Sequence, residues 1–120
     1  MKLVVPVERS SKHSSERVFF KIHRRDRTEI LAICDEALLG KELTNNTTRM
    51  KVPIGFYKGR DISQSDALDL MRRYTNINAL GSVLDLGIKK EIINEEAVIW
   101  FNSDDGRRIP HLLIFSFPPI

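Results

Sequence analysis

The sequence predicts an α+β domain, with a small mixed or antiparallel sheet and a helical pair inserted before the last strands. Three observations lead to this fold class. Alternating strand-like runs occupy residues 18–34, and the apolar spacing changes to a helical period over residues 61–76. Strand-like runs return from residue 97 onward. Strands, a helical pair and then further strands form one α+β unit.

Composition indicates a single soluble domain. The chain has 120 residues, of which 42% are hydrophobic and 29% are charged, and these values are typical of globular proteins. No apolar run approaches the roughly 20 residues that span a bilayer. The apolar start of the chain is too short for a secretory signal. We therefore expect a cytoplasmic protein that does not contact a membrane.

The first residues differ in composition from the rest. Residues 1–17 are polar, Ser-rich and basic, with ERSSKHSSER at their centre. Such a segment predicts a flexible or partner-ordered arm. Residues 18–120 contain no repeat and no internal linker, and we expect them to form the single α+β domain.

A β-hairpin is predicted at the start of that domain. Residues 18–23 and 28–34 are rich in β-forming residues and are separated by the polar stretch RRDR. This tip would carry Arg24, Arg25 and Arg27 into solvent.

The stretch CDEALLG predicts a corner between two strands. Asp35 is a good cap for a short helical turn, in which Leu38 and Leu39 would be buried. Gly40 can adopt the left-handed conformation that ends such a turn. On this interpretation Cys34 packs as a small hydrophobic residue.

A catalytic interpretation of Cys34 is the alternative. As a nucleophile its thiolate would need a nearby base, and the chain offers His13, His23 and His111. His23 lies on the strand before Cys34 and could be near it across the hairpin, but no spacing requires this. A zinc site built from Cys34, His23 and His111 would lack a fourth ligand and a recognisable ligand spacing. The sequence therefore predicts no enzyme, no metal and no cofactor, and a lone cysteine excludes an internal disulfide.

The middle of the chain changes from strand to helix. Residues 50–57 read as an edge strand, because Pro53 and Gly55 interrupt the run. Ser63, followed three residues later by Asp66, predicts the beginning of a helix.

A second helix and two final strands complete the prediction. Asn76 or Asn78 would begin the helix and Gly87 would end it. Gly81 would lie inside this helix, where close packing on the sheet explains the missing side chain. AVIWF and IPHLLIFSF then read as strands, separated by the turn NSDDG.

Charge is distributed unevenly along the chain. Residues 1–60 contain 13 Lys and Arg against 7 Asp and Glu, whereas residues 61–120 contain 6 against 9. The first half therefore carries a net charge of +6 and the second half −3. A basic half favours an anionic partner.

RNA is the anionic partner that the basic residues favour. Arg and Lys neutralise phosphates and release bound counterions, and Tyr57 beside Lys58 and Arg60 offers the aromatic and basic combination that stacks unpaired bases. No RRM, KH or zinc-knuckle signature is present. The candidate RNA-binding residues are Lys12, Arg17, Arg24, Arg25, Arg27, Tyr57, Lys58 and Arg60.

Several stretches together resemble one archaeal family, domain of unknown function 424. They are CDEALLGK, FYKG, NINALGSVLDLGI, NEEAVIWF and the closing IPH. The resemblance implies an archaeal source, a small cytoplasmic protein and an RNA-linked or translation-linked role.

Three hypotheses follow in order of preference. The first is an RNA-binding accessory protein, associated with the ribosome or translation, that grips phosphates of ribosomal or other structured RNA through the arm and hairpin tip. The second is a protein–protein adaptor in a translation or replication complex, contacting ribosomal proteins or translation factors through Phe115, Phe117 and Ile120. The third is a small enzyme that uses Cys34.

Overall fold

An eight-stranded mixed sheet organises the part of the chain that the structure, a computed structural model, describes, which is residues 16–116. Three helices accompany it in this range: α1 (Ile54–Tyr57), α2 (Gln64–Met71) and α3 (Ser82–Lys89). The strands, in chain order, are β1 (Val18–Arg25), β2 (Thr28–Asp35), β3 (Glu42–Thr44), β4 (Arg49–Lys51), β5 (Arg60–Ile62), β6 (Ile77–Leu80), β7 (Ile99–Asn102) and β8 (Arg108–Ile114).

The strand order across the sheet is β4-β3-β7-β8-β6-β2-β1-β5. Strands β2 and β6 form a parallel pair, and the other neighbouring strands are antiparallel. The predicted α+β class is therefore confirmed, but the sheet is larger than the small sheet expected. The sheet is larger because short strands that precede, separate and follow α2 and α3 in the chain join the β1–β2 hairpin.

The predicted hairpin is present and longer than expected. In the pairing of β1 with β2, Val18 lies opposite Asp35 and Arg25 lies opposite Thr28. Arg24 and Arg25 therefore belong to β1. The turn contains two residues, and the first of them, Asp26, has a φ of 56°. Asp tolerates this left-handed conformation better than most residues.

The corner after β2 differs from the prediction in the role of Asp35. Residues Glu36–Leu38 form a single 3-10 turn, but the Asp35 side chain does not cap it. The carboxylate instead accepts hydrogen bonds from the backbone N–H of Ser82 (2.8 Å) and from the Ser82 hydroxyl (2.6 Å). It therefore caps α3, which begins 47 residues later in the chain. Gly40 has the predicted left-handed conformation, with a φ of 78°.

Leucines 38 and 39 are buried unequally at this corner. Leu38 is fully buried, whereas Leu39 is only half-buried. The prediction that both are buried therefore holds fully for the first alone.

The second helix begins later than the sequence predicted. Residues 77–80 form β6, which lies between β2 and β8 in the centre of the sheet. Gly81 precedes the helix instead of lying inside it, and Gly87 lies inside α3 instead of ending it. Hydrogen bonding to two neighbouring strands outweighs the local capping tendency of Asn76 and Asn78, because tertiary context overrides propensity.

The segment before β5 also differs. Only Arg49–Lys51 is a strand, and it lies at the edge of the sheet as predicted. After Pro53 the chain forms α1, a single helical turn. Proline has no N–H for a sheet ladder, but it is tolerated at the beginning of a helix.

Each face of the sheet has its own core. Leu31 and Ile33 point to the face covered by α2 and α3. Their neighbours Ala32 and Cys34 point to the opposite face, which is covered near Cys34 by α1 and the corner that leads into β3. Successive side chains of a strand alternate between faces, so β2 is buried on both sides.

Helices α2 and α3 run in the same direction along the sheet. Their first residues, Gln64 and Ser82, line one cavity together with Asp35. At the other end, Arg73 after α2 lines a cavity together with Arg27 of the hairpin turn. The helix C-termini therefore face the hairpin tip, and the helix N-termini face the opposite end, which we call the far end.

Gly81 provides a test of this arrangement. Its φ is +105°, and a Cβ atom placed on it would lie 2.5 Å from Asp35 Oδ2. We expect Gly81→Ala to lower the free energy of unfolding by roughly 1–3 kcal/mol, through backbone strain and displacement of the capping carboxylate. Urea denaturation followed by circular dichroism measures this change.

The control is Gly55→Ala. A Cβ atom on Gly55 would meet no atom within 4 Å, and this glycine has no positive φ. Its substitution should change stability by less than about 0.5 kcal/mol. Equal effects of the two substitutions would contradict the role assigned to Gly81.

Candidate nucleic-acid interface

The hairpin tip and the segment after α2 form an open polar cavity. Its volume is about 230 Å³, and it is lined by Arg27, Glu29, Arg73, Tyr74, Thr75 and Asn76. Arg27 comes from the β1–β2 turn, whereas Arg73 lies after the C-terminus of α2. Guanidinium groups from two separate elements are thus brought to one site.

This tip is electropositive. Arg24 Nε pairs with Glu29 Oε2 at 2.5 Å, which neutralises the glutamate on the cavity wall. Three arginines form no ion pair within residues 16–116: Arg25, Arg27 and Arg73. Arg27 and Arg73 line the cavity; we call these two residues, together with Arg25 and Arg72 close to them in the chain, the arginine tip.

The other predicted RNA-binding residues lie in different places. Lys58 and Arg60 are exposed, and Arg60 lies opposite Phe20 on the edge strand β5. Arg17 is exposed but contacts two acids, Glu36 (3.9 Å) and Asp61 (3.5 Å). Lys12 lies outside the described residues. Of the predicted residues, Arg27 lines the cavity, and Arg24 and Arg25 precede it at the end of β1.

The prediction that Tyr57 stacks on unpaired bases is wrong. The residue is only 2% exposed, so its ring cannot stack on an unpaired base. Phe56 lies beside it and stacks instead on His23, with ring centroids 4.4 Å apart. The helical turn of α1 directs Tyr57 into the core, because two adjacent residues of a helix cannot share one face.

The Tyr57 hydroxyl begins a polar network on this face. It donates to Asn78 Oδ1 at 2.7 Å, and His111 Nε2 lies 3.0 Å from the same oxygen. Because Asn78 Oδ1 is an acceptor, Nε2 of His111 carries the proton. Burial lowers the pKa of His111, which favours this neutral form of the ring.

Cys34 is fully buried, and its Sγ donates to the Asp35 carbonyl oxygen at 3.3 Å. Burial raises the pKa of the thiol. His23 lies four residues along β1 from Phe19, which is the partner of Cys34, and β6 lies between Cys34 and His111. Burial, high pKa and the distance of both imidazoles favour the packing interpretation.

The far end carries charges of both signs. Its cavity of about 340 Å³ is lined by Glu16, Asp35 and Asp85, and also by Arg107 and Arg108. Arg107 contacts Asp105, and Arg108 lies over the Trp100 ring at 4.4 Å. The charged residues that line this cavity therefore include three acids and two arginines.

Two further observations concern residues 16–116 alone. No group of three or more His, Cys, Asp or Glu residues in this range could hold a metal ion. No helix in this range has the length and apolar character needed to cross a bilayer. For the adaptor hypothesis, Phe115 is 52% exposed, whereas Phe117 and Ile120 lie outside the range.

Comparison with known proteins decides the family. A family model described as a protein of unknown function, DUF424, matches residues 22–112. The chain belongs to the DUF424 family. The predicted resemblance is therefore confirmed. No curated protein matches the sequence.

A solved structure supports the same fold for this DUF424 chain. It is the crystal structure of an uncharacterized conserved protein from Methanopyrus kandleri, with 26% sequence identity and a TM-score of 0.58. The match covers 87% of this chain and 97% of that one.

The stretches that resemble DUF424 meet at two points of the structure. FYKG, NINALGS and IPH contribute Tyr57, Asn78 and His111 to one polar network. CDEALLGK and NINALGS contribute Asp35 and Ser82 to the cap of α3.

The sequence did not reveal two groupings: Arg73 and Asn76 beside Arg27 in one cavity, and the pair of Asn78 and His111 on the other face of the sheet. Arg73 was visible only as one member of a basic pair. No spacing along the chain could have joined it to Arg27, because the direction of α2 decides their proximity.

Asp35 makes stability depend on pH. Burial raises the pKa of its carboxyl group from 3.8 to about 7, and like charges on Glu16 and Asp85 add to this effect. The folded state therefore binds this proton more tightly than the unfolded chain. The stabilisation that this group provides is complete below about pH 4 and is lost as the pH rises through about 7.

We expect Asp35→Asn to gain stability progressively relative to the wild type as the pH rises from about 4 to about 8. The limit is on the order of 4 kcal/mol, because each pKa unit is worth about 1.4 kcal/mol. Asn cannot ionise but can still accept the Ser82 N–H. Urea titrations of both proteins across this range measure the difference, and parallel pH profiles would contradict it.

Proposed function

We propose that this DUF424 protein binds folded RNA through its phosphates, with the arginine tip as the anchor. One observation carries the proposal: Arg27 and Arg73, from separate elements, line the same open cavity. Neither guanidinium group has an acidic partner within residues 16–116. Their charge is therefore available to an external anion.

Guanidinium chemistry suits a phosphate ligand. A planar guanidinium donates two parallel hydrogen bonds to a phosphate, and such charge-assisted bonds are roughly twice as strong as neutral ones. Two arginines that line one cavity can both contact the same phosphate. Release of counterions from the RNA adds affinity that falls with salt concentration.

The shape of the hairpin supports binding to a folded RNA. Strand β6 pairs with β2 only from Leu31 onward, and β5 pairs with β1 only as far as Phe20. The pairs from His23 opposite Ile30 to Arg25 opposite Thr28 therefore extend beyond both neighbouring strands. This end of the hairpin lies beside the segment after α2, which lines the cavity together with Arg27, so a folded RNA can contact both elements at once.

Ribosomal RNA is the first RNA to test, because the resemblance to DUF424 implies a translation-linked role. On this proposal Lys58 and Arg60 make secondary phosphate contacts, since both are exposed and Arg60 lies on β5, the edge strand beside β1. Ribosomal proteins or translation factors would then contact other surfaces of the chain.

Charge reversal at the arginine tip tests the proposal. Arg27→Glu with Arg73→Glu should weaken binding to ribosomal RNA by roughly 100-fold or more, because the loss of each of the two charge-assisted hydrogen bonds costs about 1.5–3 kcal/mol and each 1.4 kcal/mol is about tenfold. The slope of log affinity against log salt should fall by about 0.7–0.9 for each phosphate that the variant no longer neutralises. Fluorescence anisotropy with labelled RNA at several salt concentrations measures both quantities.

The matched control is Arg107→Glu with Arg108→Glu at the far end. It changes the net charge equally but leaves the arginine tip intact, so affinity and salt slope should stay near the wild-type values. Equal losses in the two double variants would show that total charge, not the tip, determines binding. Affinity independent of salt would reject a phosphate-based mode.

A further inference from the structure

One part of the sheet surface stays open beside the polar network. Ile99 lies opposite His111, and Asn78 lies opposite Leu113, so these four side chains share a face. Ile99 is 52% exposed and Leu113 is 47% exposed. We call Asn78, Ile99, His111 and Leu113 the open sheet face. The two long helices, α2 and α3, pack on the other side of the sheet.

This face holds a hydrogen-bond donor and an acceptor in fixed positions. Asn78 Oδ1 is occupied by the Tyr57 hydroxyl and by His111 Nε2, and this orients the amide group. The Asn78 amide nitrogen has no hydrogen-bond partner within residues 16–116. Because Nε2 of His111 carries the proton, Nδ1 is an acceptor.

Such a surface suits an unpaired nucleobase. A base has flat apolar faces, and its edge carries hydrogen-bond donors and acceptors. The open sheet face offers aliphatic side chains for the base face, and beside them a donor and an acceptor for the base edge. A base inside a duplex could not reach them, because its edge is already paired.

The open sheet face continues toward the arginine tip. Phe115, two residues after Leu113, is 52% exposed and offers a ring for stacking. The next residue, Ser116, donates its backbone N–H to Asn76 Oδ1 at 2.7 Å. Asn76 itself lines the cavity that contains Arg27 and Arg73. An aromatic ring and a phosphate site are therefore neighbours.

We infer that the open sheet face, together with Phe115, binds unpaired bases of the RNA whose phosphates contact the arginine tip. The preferred ligand is then a single-stranded or looped segment. This inference rests on the proposed function. Among possible occupants, RNA is favoured over an apolar protein surface, because the adjoining arginines have no acidic partner in the described chain and attract a polyanion.

Comparison of single-stranded and paired RNA tests the inference. Wild-type protein should bind a single-stranded oligonucleotide roughly tenfold or more tightly than a duplex of equal length at the same salt concentration, since each stacked base adds substantial affinity. Leu113→Ser with Phe115→Ser should remove this preference and leave duplex binding unchanged. Circular dichroism confirms that the variant is folded.

Ile92→Ser is the matched control. Ile92 is 41% exposed and follows α3, on the other side of the sheet from the open sheet face. Its substitution removes an exposed apolar side chain elsewhere and should keep the preference for single strands. A loss of preference in this control as well would overturn the inference.

Tyr57→Phe tests the polar network separately. It keeps the buried ring but removes the hydroxyl that orients Asn78. We expect the relative affinities for oligo-A, oligo-C, oligo-G and oligo-U to change several-fold, while the ring packing is preserved. Unchanged relative affinities would show that the amide does not contact a base edge.

The remaining outcomes separate this inference from the proposed function. Equal, salt-dependent binding of single strands and duplexes overturns the inference and leaves the phosphate anchor standing. The double variant Leu113→Ser, Phe115→Ser could also bind RNA normally but lose self-association in sedimentation. That result would show that the open sheet face docks a protein, and it would overturn the inference. Absence of any RNA binding by the wild type rejects both.

Discussion

The hydrogen bonds between Asp35 and Ser82 hold together the end of the molecule where the parallel strands finish. Asp35 ends β2, and Ser82 begins α3 directly after β6, so one carboxylate joins two segments that lie 47 residues apart. Gly81 permits this approach because a Cβ atom at this position would lie only 2.5 Å from Asp35 Oδ2. The cost is a buried acidic group whose pKa is raised to about 7. Without the Asp35 carboxyl group, the N–H groups at the beginning of α3 would be buried without a hydrogen-bond acceptor, which is also unfavourable.

The direction of the two helices brings together the residues of the arginine tip. Since α2 and α3 begin at the end that contains Asp35, their C-termini point toward the hairpin turn. Cations near a helix C-terminus are favoured by the helix dipole, and Arg73 occupies such a position. The same geometry brings it beside Arg27. The arginine tip therefore combines residues from both halves of the sequence. The clustering of positive charge in the folded protein differs from the division into a basic and an acidic half along the chain.

The polar network shows why composition alone misassigned an aromatic residue. FYK reads as an aromatic and basic cluster, yet α1 turns Tyr57 inward and leaves Phe56 against His23. A buried hydroxyl needs a hydrogen-bond partner, and Asn78 supplies it. The tyrosine thus positions an amide on the sheet surface instead of contacting a ligand itself. The surface that results contains residues from α1, β6 and β8.

The sequence by itself determined the local elements of this protein: the β1–β2 hairpin, the left-handed Gly40, the capped beginning of α2, and the DUF424 family. These depend on neighbouring residues, whose spacing is visible in the chain. Tertiary structure alone decided the partner of Asp35, the strand identity of residues 77–80, and the proximity of Arg27 to Arg73. Each of these depends on contacts between segments about 30 or more residues apart, and local propensities of a few tenths of a kcal/mol are too weak to specify them.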